Sequence, residues 1–220
     1  MEWLSVPRPG SWALIIAPHA GVPLMLDLAA RLGSRGSVSV VDGGDRFQAH
    51  VVSRAVRRYL PPGSGGQDHA AALERIMLAR AFTCYQMVTL LDEYLAHPQL
   101  RTPPGRWFPR GRTLLIGEGR LSKSAPGSSP HSPFPPPPTL VLDLLSTFYD
   151  ESVPLAESQR LLGICISYLE RMAKRAPLAV SVKPPRPVSD RQVLVERLEA
   201  AASEVYRLEA PTPVEPPRLF

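Results

Sequence analysis

The sequence predicts one α/β domain with a mostly parallel sheet of about five strands and helices on both faces of that sheet. Five short apolar runs recur along the chain, and each is followed by a turn signal or by a stretch with helical periodicity. Uninterrupted apolar runs of this length are typical of strands that are covered on both faces, as in parallel sheets. Strands that alternate with helices across crossover-length connections form βαβ units.

The predicted strands are short, apolar and rich in β-branched residues. They are residues 12–17 (WALIIA), 37–42 (SVSVVD), 75–80 (RIMLAR), 139–145 (TLVLDLL) and 178–182 (LAVSV). The second strand ends on an aspartate and the fourth contains one. Aspartates at strand ends often cap the next helix, so alone they indicate little about function.

Helical periodicity follows each predicted strand. The predicted helices are residues 24–32, 47–60, 83–96, 155–175 and about 190–204. The third places Met87, Leu90, Leu91 and Tyr94 on one face, at the spacing of an amphipathic helix. Pro154 is well placed to open the fourth helix.

The chain length of 220 residues fits one domain, and 44% apolar with 20% charged residues is typical of a globular chain. The 26 prolines cluster outside the periodic segments. We therefore predict an α/β core over residues 1–209, which contains a proline-rich, mobile insertion at 97–138, and a proline-rich tail at 210–220.

Composition argues against several classes of protein. The net charge of +5 is compatible with an anionic partner without indicating one. Cys84 and Cys165 cannot form a disulfide framework, and the five histidines lack metal-ligand spacing, so no metal site is predicted. Neither a signal peptide nor an apolar run of membrane-spanning length is present, so a cytoplasmic location is expected.

Three segments carry a family resemblance. Residues 140–149 (LVLDLLSTFY) look like a Walker B strand, and a long amphipathic helix and a further apolar strand follow them. Residues 75–91 (RIMLARAFTCYQMVTLL) and 37–47 (SVSVVDGGDRF) are similar to two more strand regions of the same family. In this order they resemble the RecA-like recombinases, DNA-strand-exchange ATPases of the P-loop NTPase type, across roughly residues 10–185.

The resemblance implies a nucleotide site that is degenerate in this chain. Asp143 would be the Walker B aspartate, and Gly44 stands where the family carries its catalytic glutamate. A P-loop needs glycines, a lysine and a Ser or Thr hydroxyl. The matching positions here are Ala17, Gly21, Val22, Pro23 and Leu24. We therefore expect a pseudo-ATPase with no catalytic residue and no cofactor.

Two basic segments are candidate DNA contacts. Arginines beside exposed aromatics suit phosphate contact and base stacking. The first segment contains Arg106, Trp107, Phe108, Arg110 and Arg112. The second follows the fifth strand, where the family has a DNA-contacting loop, and contains Lys183, Arg186 and Arg191. The acidic pair Asp150 and Glu151 argues against DNA at the neighbouring loop.

Three functions follow from these observations. The first is a non-catalytic recombinase paralogue in DNA repair, which binds single-stranded DNA, a catalytic RecA-like partner or another repair factor, with no membrane partner. The second is a scaffold subunit that binds proteins without nucleic acid. The third is a diverged nucleotide-binding enzyme, whose pocket would lie near His19, Asp42, Asp45 and Asp143.

Overall fold

Six parallel strands form one sheet in the computed structural model, which describes residues 10–96, 136–186 and 189–209. The strand order is β3-β2-β4-β5-β1-β6. The strands are β1 (Trp12–Ile16), β2 (Val38–Asp42), β3 (Ile76–Arg80), β4 (Thr139–Leu142), β5 (Leu178–Val182) and β6 (Glu204–Arg207). Every neighbouring pair is parallel, so all six strands end at the same edge of the sheet.

Helices connect the strands and cover both faces of the sheet. They are α1 (Val22–Arg35), α2 (Ala49–Tyr59), α3 (Gly66–Glu74), α4 (Cys84–Ala96), α5 (Leu155–Ala173) and α6 (Gln192–Ala201). Short 3-10 turns at Pro18–Gly21 and Leu144–Phe148 follow β1 and β4. No helix in the described part of the chain is long and apolar enough to cross a membrane.

The alternation of side chains along each strand divides the core into two apolar layers. On β1, Leu14 and Ile16 pack with α4, α5 and α6, whereas Ile15 packs with α1, α2 and α3. Strands that are apolar on both faces therefore require helices on both faces, which is why the continuous apolar runs predicted the architecture.

The predicted fold class is confirmed, with one strand more than expected. All five predicted strands exist. The fourth is shorter than residues 139–145, because Asp143 adopts a left-handed conformation with φ of 49° and turns the chain out of the sheet. The last helix also ends earlier, at Ala201, and β6 follows it.

Two elements were not predicted. Helix α3 buries Ala72 alone among its nine residues, so its apolar periodicity is weak. Strand β6 has four residues, of which Val205 and Tyr206 are apolar, too few for a period to show. Of the proposed insertion at 97–138, residues 136–138 are described, and the Pro138 carbonyl accepts a hydrogen bond from the Ser39 N–H at 3.0 Å. Residues 97–135 and the 210–220 tail lie outside the described residues.

Two buried hydroxyls on adjacent strands provide a test of the core. Ser39 on β2 and Thr139 on β4 are register partners. Their side-chain oxygens are buried and have no hydrogen-bond partner within the described ranges. Thr147 is also buried, but its hydroxyl donates to the Leu144 carbonyl at 3.1 Å. A buried polar group without a partner destabilises the folded state.

We predict that Thr139→Val stabilises the protein by about 1 kcal/mol, because a methyl group replaces a hydroxyl that lacks a partner. The matched variant Thr147→Val removes a hydroxyl that is hydrogen-bonded, and it should destabilise by about 1 kcal/mol. Urea unfolding, with the midpoints compared at unchanged slope, measures both changes. Equal destabilisation by the two variants would contradict the assignment of Thr139.

Candidate functional site

The predicted nucleotide-site residues lie together at the carboxyl edge of the sheet. The chain leaves β1 at Ala17, β2 at Gly43, β4 at Asp143 and β5 at Lys183. Because the strands are parallel, these four exits lie at the same edge of the sheet. β5 lies between β1 and β4. In open α/β sheets this edge is where ligands bind.

The segment after β1 forms a left-handed turn that leads into α1. His19, Ala20 and Gly21 have φ values of 53°, 55° and 57°, a conformation that non-glycine residues adopt at a cost of about 1 kcal/mol each. Pro23 lies in the first turn of α1, a position that proline favours because no N–H is needed there. The segment therefore starts a helix, but Pro23 supplies neither the cation nor the N–H of a phosphate cradle.

The carboxylate of Asp143 is buried and is bound by groups of the same chain. Its side chain is 1% exposed. The Arg46 Nε–H donates to Oδ2 at 3.0 Å, and the Lys183 backbone N–H donates to Oδ1 at 3.2 Å. The Ser181 hydroxyl accepts the Asp143 N–H at 3.2 Å. An arginine thus occupies one face of the carboxylate that a divalent cation would use in the Walker B role.

Asp42 on the neighbouring strand is bound in the same way. It is fully buried, and its two oxygens accept the backbone N–H groups of Arg46 and Phe47, each at 2.9 Å. The Arg80 guanidinium, at the end of β3, lies 3.3 Å from Asp42 and 3.0 Å from Asp45. Three aspartate–arginine pairs therefore join the ends of β2, β3 and β4.

Gly44 fills the position where the resemblance places a catalytic glutamate. A Cβ atom there would lie 2.6 Å from Oδ2 of Asp143 and 2.9 Å from its Cβ. Gly43 is equally confined, since a Cβ would lie 2.8 Å from the Met87 methyl carbon. No side chain fits at residue 44 without displacement of Asp143. Glycine at this position is thus a packing requirement of the buried ion pair.

A cleft of about 790 Å³ opens beside this network, between the segments that follow β4 and β5. Arg46, Lys183 and Arg186 contribute cations to its lining, and Glu151 and Asp190 contribute carboxylates. The Tyr149 hydroxyl donates to the Lys183 carbonyl at 2.8 Å. Burial, together with the nearby charge of Asp143, raises the pKa of Tyr149, so the phenol stays neutral.

Arg191 is a correction to the set of DNA-contact candidates. It is 7% exposed, and its guanidinium donates to the carbonyls of Phe148 and Val153 and to the Ser158 hydroxyl. These bonds join the segment after β4 to the start of α5 and α6, which is a structural role. Lys183 and Arg186, in contrast, are exposed.

The other residues singled out in the sequence differ in how far the structure describes them. The aromatic and basic loop lies outside the described residues, so its members stay predictions; they are Arg106, Trp107, Phe108, Arg110 and Arg112. Cys84 and Cys165 are buried between helices, and burial raises the pKa of the Cys165 thiol to about 12. Within the described ranges, His, Cys, Asp and Glu side chains form no group of three that could hold a metal ion.

Arg46 and Arg80 were not predicted as site residues, although both lie inside segments compared with the family. A local signal for an ion pair near Arg46 exists in the sequence. Two glycines and two acidic residues directly precede Arg46 in the sequence DGGDR. The partner on Asp143 comes from 97 residues away, so spacing alone does not reveal it.

No protein-family model matches the chain, and no curated protein matches it.

We predict that Gly44→Ala destabilises the protein by about 1–3 kcal/mol, since the added methyl group overpacks Asp143. Gly36→Ala is the matched control, because a Cβ there meets nothing within 4 Å and the backbone is extended. That control should be neutral or slightly stabilising. Both are measured by urea unfolding, and equal effects at the two positions would show that residue 44 is not confined.

Proposed function

We propose that this chain is a non-catalytic RecA-like recombinase paralogue that acts in DNA repair and recombination. It would bind single-stranded DNA or a catalytic RecA-like partner. The single observation that carries the proposal is the Arg46–Asp143 ion pair, at the position where the resemblance places the Walker B aspartate. A chain that retains the strand framework without the reactive groups acts through its surfaces.

The electrostatics of the edge support a role without hydrolysis. Mg²⁺ is held by carboxylate oxygens and phosphates. Asp143 already receives a guanidinium, and Pro23 stands in place of the phosphate-binding lysine. The alternative of a diverged enzyme predicts Mg²⁺ or nucleotide binding at this edge. Calorimetric titration with Mg-ATP tests that alternative, and saturable binding would favour it.

Exposed cations beside the cleft support nucleic-acid binding. The side chains of Lys183 and Arg186 are exposed and form no ion pair with any residue that the structure describes. Unpaired cations can exchange their counterions for phosphates without breaking internal bonds. Glu151 and Asp190 on the same cleft lower its affinity for a polyanion. The balance of charges at the cleft therefore favours nucleic-acid binding of moderate affinity. That affinity should fall as the salt concentration rises.

The open sheet edge at β3 supports association with a protein. β3 pairs with β2, and no strand of the described ranges covers its other side. Leu78 on β3 is 40% exposed, and Phe82, just beyond the strand, is 68% exposed. An exposed apolar edge strand is a template for a strand from another chain. The opposite edge, at β6, carries Glu204 and Arg207, and edge charges discourage such pairing.

For single-stranded DNA, we expect salt-sensitive binding that Mg-ATP does not change. Lys183→Gln with Arg186→Gln should reduce the slope of log K against log salt by about 1.4, since each lost phosphate contact accounts for about 0.7. Fluorescence anisotropy of a labelled oligonucleotide gives the affinity. Arg171→Gln with Lys174→Gln is the charge-matched control on α5 and the segment after it. Absence of binding by the unmodified protein at low salt would end the DNA hypothesis.

For a recombinase partner, we expect Leu78→Glu to weaken association at least about tenfold, because a buried unpaired carboxylate opposes docking at the β3 edge. Val205→Glu is the control on the opposite edge, where residue 205 is 41% exposed. Biolayer interferometry against a catalytic RecA-like protein measures both variants. If Val205→Glu alone weakened binding, the β3 edge would not be the interface.

In the scaffold alternative, the same β3 edge binds a protein and the chain binds no DNA. It is favoured if the chain binds a protein partner and shows no affinity for nucleic acid in the anisotropy experiment.

A further inference from the structure

Helix α2 has a basic outer face that the nucleotide edge and the cleft do not explain. Its eleven residues include three arginines and no acidic residue. His50, Arg54, Arg57 and Arg58 are exposed, whereas Val52, Ala55 and Val56 are buried against the sheet. Positions separated by three, four, seven and eight residues lie on one side of a helix. The four basic side chains therefore form one stripe, which we call the α2 stripe.

Two arginines of the α2 stripe are unpaired. Arg54 and Arg57 form no ion pair or hydrogen bond with the part of the chain that the structure describes. Arg58, in contrast, binds Asp27 on α1 through a contact of 2.6 Å. The Tyr59 hydroxyl donates to the second oxygen of the Asp27 carboxylate. The one acidic side chain of α1 is thus engaged, and the positive charge of Arg54 and Arg57 faces solvent.

The charge of the α2 stripe belongs to a whole helical layer. Helices α1, α2 and α3 together carry five arginines and three acidic residues, Asp27, Asp68 and Glu74. On the opposite face of the sheet, α4, α5 and α6 carry three arginines and six acidic residues. Such a separation orients a polyanion toward one side of the domain.

The chemistry of the stripe selects the class of ligand. Protein interfaces have an apolar core inside a polar rim, and the outer face of α2 exposes no large apolar residue. Guanidinium groups bind phosphate through paired N–H donors, which lysine does not provide. Successive arginines at residues 54, 57 and 58 rise about 4.5–6 Å along the helix axis, which places several donors along one backbone. The pattern fits the phosphodiester backbone of nucleic acid.

The lack of aromatics distinguishes duplex from single strand. Single-strand binding combines cations with aromatic rings that stack on unpaired bases. Tyr59 is the aromatic residue of α2, and its hydroxyl is bound to Asp27 while its ring is half-buried. A surface of cations without a stacking platform suits phosphates whose bases are already paired.

Space for a bulky backbone exists beside the stripe. Arg57 borders a cleft of about 540 Å³, formed with the turn at residues 60–66 and with His69 on α3. His69 is itself bound, since its Nε2 lies 2.8 Å from the Ser53 carbonyl oxygen. Arg57 is therefore the free cation of that cleft among the residues the structure describes.

We propose that the α2 stripe binds the phosphate backbone of duplex DNA, as a second nucleic-acid surface separate from the cleft at the carboxyl edge. This inference rests on the proposed function for the choice of DNA, but it uses other residues and another form of DNA.

The experiment compares one duplex of about 30 base pairs with one single strand of about 30 nucleotides. Fluorescence anisotropy measures their binding from about 50 to 200 mM salt. Three double variants are used in the full chain: Arg54→Gln with Arg57→Gln, Lys183→Gln with Arg186→Gln, and the charge-matched control Arg171→Gln with Lys174→Gln. Circular dichroism verifies that each variant is folded.

We expect the Arg54 and Arg57 variant to bind duplex about tenfold or more weakly at 100 mM salt, with a salt slope reduced by about 1.8. Its affinity for the single strand should change less than about twofold, because the stripe has no stacking platform. The control should leave duplex binding unchanged.

Two results would overturn the proposal: an unmodified protein that does not bind duplex at low salt, or equal weakening by the Arg171 and Lys174 control. If the unmodified protein bound duplex in a manner sensitive to Arg54 and Arg57 but did not bind the single strand, the single-strand part of the proposed function would be contradicted and the α2 stripe would stand.

Discussion

The ion pair between Asp143 and Arg46 is the constraint on which the carboxyl edge depends. A carboxylate that is 1% exposed needs a cation and hydrogen-bond donors, since an unpaired buried charge would destabilise the fold strongly. Arg46 can reach Asp143 because Asp42 accepts the Arg46 N–H and thereby shapes the preceding loop. The loop comes so close that residue 44 has no room for a side chain. Two buried carboxylates, Asp42 and Asp143, thus constrain the loop after β2 and leave no room for a side chain at residue 44.

The same ion pair lies at the edge where open α/β sheets bind ligands. Parallel strands bring loop residues together at their carboxyl ends whatever those residues are. Here they bring together groups that satisfy one another: Arg46 with Asp143, Arg80 with Asp42 and Asp45, and Arg191 with three oxygens of the segments around α5. A polar cluster whose members are paired stabilises the edge rather than leaving a reactive group exposed. Beside this cluster, Lys183 and Arg186 form no ion pair with any residue that the structure describes.

The sequence predicted the sheet well because its signal is local. Apolar runs such as WALIIA and LAVSV need no partner to be recognised as buried strands. Helix α3 and strand β6 were missed since Ala72, Val205 and Tyr206 carry too little apolar periodicity. The contacts of the edge residues could not be predicted from the sequence. Asp143 and Gly44 were placed at one edge, whereas the role of Arg46 and the burial of Arg191 depend on partners up to 97 residues away.

The separation of the basic surfaces matters for how such a domain would act. α2 runs back across one face of the sheet from the carboxyl end of β2, whereas Lys183 and Arg186 follow β5 at the edge itself. A rigid sheet between two sites holds them at a constant distance, so occupation of one raises the effective concentration of the same DNA molecule at the other when the DNA spans both. If both proposed surfaces bind DNA, two weak, salt-sensitive contacts together would hold one DNA molecule more tightly than either contact alone.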